Sequence, residues 1–82
     1  MEVRYSRLAS RALRRSGKGK LLRAKIEQLA SRPETLSANI NKLTGKSEFR
    51  LRVQDFRVIF RMEGSALEID DTLPRSEAYR RQ

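Results

Sequence analysis

The stretch FRLRVQDFRVIF, residues 49–60, alternates an apolar series with a cationic one. In an extended chain successive side chains point to opposite faces, so Phe49, Leu51 and Val53 share one face and Arg50 and Arg52 the other. Gln54-Asp55 supplies a short turn, with Asp tolerant of unusual backbone angles. A two-residue loop there pairs Val53 with Phe56, Arg52 with Arg57, Leu51 with Val58, Arg50 with Ile59 and Phe49 with Phe60. Every partner on the Phe49 face is then apolar. A slip of one residue would turn arginines into the core, so this register is strongly specified. The same register sets Arg52 directly opposite Arg57, and like charges facing each other across a ladder destabilise it. A sequence that accepts this repulsion points to an anion or an acidic partner on that face.

The pattern extends in both directions from this hairpin, whose strands are expected at about 47–53 and 56–62. Glu63-Gly64 reads as the next turn, since glycine supplies the positive φ that tight hairpins need. Ser65 to Asp71 alternates again, and continuing the register sets Phe60 against Leu67, Val58 against Ile69 and Arg57 against Asp70. Leu73-Pro74 then interrupts the alternation. Upstream, Val3 and Tyr5 favour a short strand over 2–5. Ser6 is a candidate N-cap for a helix over 7–15, in which Leu8, Ala9, Ala12 and Leu13 recur at helical spacing. Ser16 to Gly19 breaks it. A second helix is expected from about Lys20 to Arg32, with Leu22, Ile26 and Leu29 as its stripe, ended by Pro33. Residues 33–45 form a connector with a short helical turn around 36–41.

The composition narrows the function. Eighty-two residues suit one small domain over 1–82, with a limited core. There is no cysteine and no histidine, which removes disulfides, thiolate metal sites and the usual general base. No apolar run of about 18 residues and no signal-peptide core occurs, so a cytoplasmic protein without membrane association is expected. Lys and Arg total 19 against 10 Asp and Glu, a net charge of +9. That excess points to a polyanionic partner, nucleic acid or acidic protein, although a basic surface can also serve solubility alone. Lys18 and Lys20 beside Gly17 and Gly19 do not form a phosphate loop, because neither the spacing nor a preceding strand fits.

These elements imply an α+β fold in the order β-α-α-β-β-β. A two-helix hairpin packs on the apolar face of a small antiparallel-rich sheet, and the first strand joins the sheet's edge. The cationic face is left open or covered by another molecule.

Over nearly the whole chain this arrangement resembles the RelE/ParE superfamily of type II toxin–antitoxin toxins. The resemblance rests on the two basic helices, on Asn41-Lys42-Leu43-Thr44-Gly45 leading into the 49–60 hairpin, and on Arg75-Ser76-Glu77-Ala78-Tyr79 in the tail. The tail resembles the RelE branch more than the ParE branch. The RelE branch implies a ribosome-dependent mRNA endoribonuclease in which the substrate's own 2′-hydroxyl attacks the adjacent phosphate, with no metal or other cofactor. It implies a site of Arg50, Arg52, Arg57, Arg75 and Tyr79. It also implies an acidic cognate antitoxin, and operator DNA bound through the toxin–antitoxin complex. Alternatives are a ParE-like, non-enzymatic gyrase inhibitor and a degenerate toxin that is only a binding module. Where the family often carries lysine, this chain has Arg50 and Arg52, and arginine keeps its proton at a pKa of roughly 12.5–13.8. Tyr79 is left as an acid or base, or as a ring that stacks on a base. Asp70 opposite Arg57 is either a base or that arginine's counter-ion.

Overall fold

The computed structural model describes residues 1–78. Strand β1 (Glu2–Tyr5) leads into helix α1 (Arg7–Arg15) and helix α2 (Gly19–Ser31). A 3-10 helix (Pro33–Asn39) follows, then β2 (Ile40–Lys42), β3 (Phe49–Val53), β4 (Phe56–Glu63), β5 (Ala66–Pro74) and the single turn α3 (Arg75–Ala78). The five strands form one sheet in the order β1-β5-β4-β3-β2. β1 runs parallel to β5, and the other neighbours are antiparallel. This is the expected α+β class with two additions, the edge strand β2 and the terminal turn α3. β2 escapes a pattern reading because three residues of a connector carry almost no periodicity. Leu36 anchors the connector by burying from the 3-10 helix.

The helices form where capping and apolar spacing agree. Ser6 caps α1, its Oγ accepting the Ala9 N–H at 2.9 Å. The same hydroxyl donates to the Asp70 carbonyl at 2.7 Å, so the cap also ties α1 to β5. Ala9 and Leu13 of α1 and Leu22, Ile26 and Leu29 of α2 are buried against Leu51, Val53, Val58, Phe60, Leu67 and Ile69 of the sheet. Phe49 stacks on its cross-strand partner Phe60, ring centroids 5.5 Å apart. At about 25 cal/mol per Å2, burying each of the larger side chains is worth roughly 1.5–3 kcal/mol.

All five expected pairs of the 49–60 hairpin are present, from Phe49 with Phe60 to Val53 with Phe56. Gln54 takes the left-handed conformation its turn requires, with φ 52°. The next hairpin differs from expectation. Its loop is Gly64-Ser65, with Gly64 at φ 59°, so Glu63 pairs with Ala66. Phe60 therefore meets Ile69 instead of Leu67, a shift of two that preserves which face is apolar. Then a bulge intervenes. Phe60 pairs with Ile69 but Ile59 pairs with Asp71, leaving Asp70 as the extra residue. Beyond it Val58 meets Thr72 and Arg57 meets Leu73, so neither Ile69 nor Asp70 has its expected partner. The strand runs on to Pro74 where an interruption was expected, and the bulge is the reason. It inverts the parity, moving Thr72 to the helix side and Asp71 and Leu73 to the far side.

Candidate active site

The arginine face is built by β3 and β4. Arg50 and Arg52 alternate along β3 on the side away from the helices, and Arg57 lies directly across from Arg52. Directly paired residues hold their Cβ atoms about 4.5–5.5 Å apart, so these are close neighbours of like charge. Arg52 is exposed, and its Nη2 donates to Asn39 Oδ1 at 3.3 Å. Arg50 is half-buried between Asn41 of β2 and Ile59 of β4.

Arg57 is different in kind. It is buried, with 7% of its surface exposed, and its Nη1 donates to the carbonyls of Gln54 at 2.9 Å and Phe56 at 2.8 Å. The turn that fixes the register thus also holds this guanidinium. No buried side-chain nitrogen or oxygen among the described residues lacks a hydrogen-bond partner, so the donors Arg57 does not spend on the turn reach solvent. A guanidinium clamped at one nitrogen and open at the others is a preorganised anion ligand.

Asp70 does not face Arg57. The bulge turns it toward Arg61, whose Nε and Nη2 donate to its two oxygens at 2.8 and 3.0 Å. This bidentate bond raises the Arg61 pKa and keeps that residue cationic. Asp71 takes the place on the arginine face, 4% exposed, across from Ile59 and diagonal to Arg57. Its Oδ1 accepts the Thr72 N–H at 2.8 Å. The far face is therefore less open than expected, because Ile59, Arg57 and Asp71 are all buried there.

Arg75 is exposed at the start of α3, and its backbone N–H donates to the Asp55 carbonyl at 2.7 Å. This bond brings the tail back to the 54–55 turn beside Arg57. Tyr79 lies outside the described residues. The structure thus brings Arg50, Arg52 and Arg57 onto one face and starts the tail next to it.

Two features were not found by pattern. Asp71 was hidden by the bulge, which no alternation signals. The second was in plain view: residues 3–26 contain Arg4, Arg7, Arg11, Arg14, Arg15, Lys18, Lys20, Arg23 and Lys25 and no carboxylate. The remaining cations and anions balance, so the whole net charge of +9 resides in β1, α1 and the first half of α2. Arg7, Arg11, Arg14, Arg15, Lys18 and Lys20 are exposed.

No sequence-family model and no curated protein matches the chain. Solved structures do match its fold. The RelE–RelB toxin–antitoxin complex of E. coli superposes with a TM-score of 0.71 at 15% identity, covering 89% of this chain and 94% of that one. The archaeal RelE–RelB complex of Pyrococcus horikoshii gives 0.71 at 22% identity, over 90% and 93%. YafQ of E. coli gives 0.70 at 16%, over 95% and 97%. The chain has the RelE-like toxin fold across nearly its full length. Its two basic helices cover one side of that fold, and the arginine hairpin forms the other.

Proposed function

We propose that this chain is the toxin of a type II toxin–antitoxin system, a cytoplasmic, ribosome-dependent endoribonuclease that cleaves mRNA without a metal. The observation that carries the reading is Arg52 set across from a clamped Arg57 on the far face of a RelE-like sheet. Like charges in register are unfavourable until an anion joins them, and a phosphodiester is such an anion.

The proposed step is displacement by the substrate's own 2′-oxygen. The 2′-hydroxyl gives up its proton as its oxygen bonds to phosphorus, the bond to the 5′-oxygen breaks, and that oxygen takes up a proton, so that a 2′,3′-cyclic phosphate and a 5′-hydroxyl remain. Phosphoryl transfer depends on positioning and charge stabilisation more than on covalent help. Arg57 is assigned to the non-bridging oxygens in the transition state, because its position is fixed before substrate arrives. Arg50 and Arg52 are assigned to the flanking phosphates, and Arg75 and Tyr79 to the tail's contribution at the scissile nucleotide. An acidic antitoxin neutralises the toxin, and operator DNA is bound through their complex.

The test is translation in a purified system, with transcript ends mapped after the protein is added. New ends on ribosome-bound mRNA carrying a 2′,3′-cyclic phosphate are expected. Intact transcripts, or a supercoiling defect in their place, would sink the reading.

A further inference from the structure

The face of the sheet away from the helices is divided by charge. From the end of β4 across β5 to β1 it carries Glu63, Glu68, Asp70 and Glu2, which are paired with Arg4 and Arg61. Four carboxylates on two guanidiniums leave this half anionic, so a phosphodiester chain leaving Arg57 is repelled from it. Arg50 and Arg52 draw the chain the opposite way, over β3 toward the edge strand β2.

β2 decides what the chain meets there. Ile40 packs on the helix-side core, so its neighbours Asn39 and Asn41 lie on the arginine face. Asn41 is exposed and pairs with Arg50. Asn39, just before the strand, stands beside Arg52 and accepts from its Nη2 at 3.3 Å. Two side-chain amides therefore run alongside two guanidiniums, one strand spacing of about 4.8 Å away. The Asn39 oxygen is taken by Arg52, whereas Asn41 presents its oxygen and its nitrogen at the sheet's edge.

A nucleotide can bridge these two columns, its phosphate on a guanidinium and its base on an amide. Bases of single-stranded RNA are splayed out and read along their Watson–Crick and Hoogsteen edges. An amide sets one donor beside one acceptor. Among Hoogsteen edges, adenine's offers the complement, the N6 donor beside the N7 acceptor. Guanine's offers two acceptors, and each pyrimidine offers a single polar group.

We propose that Asn41 is a specificity-determining residue, which reads N6 and N7 of the adenine whose phosphate lies on Arg50. The proposal rests on the toxin reading, which puts RNA on this face, and adds the base that the site prefers. Asn41 has no part in the chemical step.

The experiment measures fluorescence anisotropy at low salt with labelled 2′-O-methyl oligonucleotides, which cannot be cleaved. The probes are a short oligouridylate and a series in which a single adenine is moved through every position. At one position adenine should tighten binding about tenfold, the discrimination of one bidentate base contact. 7-Deazaadenine at that position should lose the gain, and so should adenine with Asn41→Ala. Equal binding of adenine and uracil at every position, full binding of the 7-deazaadenine probe, or a preference that survives Asn41→Ala would overturn the proposal. So would a loss in Asn41→Ala that is equal for every probe, the mark of a merely structural role. Base-blind binding that still weakens in Arg52→Ala overturns the role of Asn41 alone. Binding indifferent to Arg52 and Arg57 overturns the toxin reading with it.

Discussion

Arg57 shows how one side chain can be both structure and candidate catalyst. Its Nη1 holds two turn carbonyls, so truncation to alanine would leave the Gln54 and Phe56 carbonyls without that donor and confuse lost stability with lost activity. Arg57→Lys is the cleaner probe. Lysine keeps the charge but not the planar fork. Single-turnover cleavage by this variant is expected to fall about 100- to 1,000-fold, the usual effect of losing a preorganised donor, with its circular dichroism unchanged. Arg52→Ala should behave differently. Exposed on β3, it is expected to lower the slope of log affinity against log salt by about 0.7, one single-strand phosphate contact, with a smaller effect on the single-turnover rate. A rate loss at Arg52 as large as at Arg57 would contradict this division of roles. The Arg52–Arg57 juxtaposition was legible from residues 49–60, because parity and a two-residue loop leave one register. The clamp on Arg57 was not, because it depends on where the turn carbonyls point.

Among the elements, α1 and its junctions are most exposed to single changes. Ser6→Ala removes both the acceptor of the Ala9 N–H and the donor to the Asp70 carbonyl. A loss of about 1–2 kcal/mol is expected in urea unfolding, at the upper end for an N-cap. Gly19 opens α2, and a Cβ built there would stand 2.5 Å from the Leu13 carbonyl oxygen. That oxygen belongs to the backbone of α1 and cannot swing aside. Gly19→Ala should therefore cost about 1–3 kcal/mol, as overpacking does, despite alanine's better helix propensity. A stabilised Gly19→Ala variant would mean that the α1–α2 corner yields. The helices, their cap and the central hairpin were readable because each repeats a local period. β2 is too short to show a period, and the bulge at Asp70 breaks one. Its consequence, Asp71 on the arginine face and Asp70 on Arg61, had no local signature.

At the scale of the molecule, charge is segregated. The net +9 lies in residues 3–26, where eight of the nine cations sit on or between α1 and α2, while Arg57 and Arg61 of β4 stand beside Asp71 and Asp70 on the other side. A field of this kind raises association rates with polyanions and is screened by salt over about 8–10 Å. Reversing Arg7 and Arg11 to Glu should slow association with RNA and flatten its salt dependence while leaving single-turnover cleavage by bound protein unchanged. Stopped-flow binding at two salt concentrations checks this, and an unaltered association rate would show that the helical face does not steer.

Local periods alone determined the two helices, the apolar side of the sheet and the pairing of Arg52 with Arg57, because those features depend on residues close in the chain. The partners of Asp70 and Asp71 and the return of Arg75 to Asp55 were decided only in three dimensions. Each arises at or beyond the bulge in β5, and one added residue in that strand is enough to redirect every side chain after it.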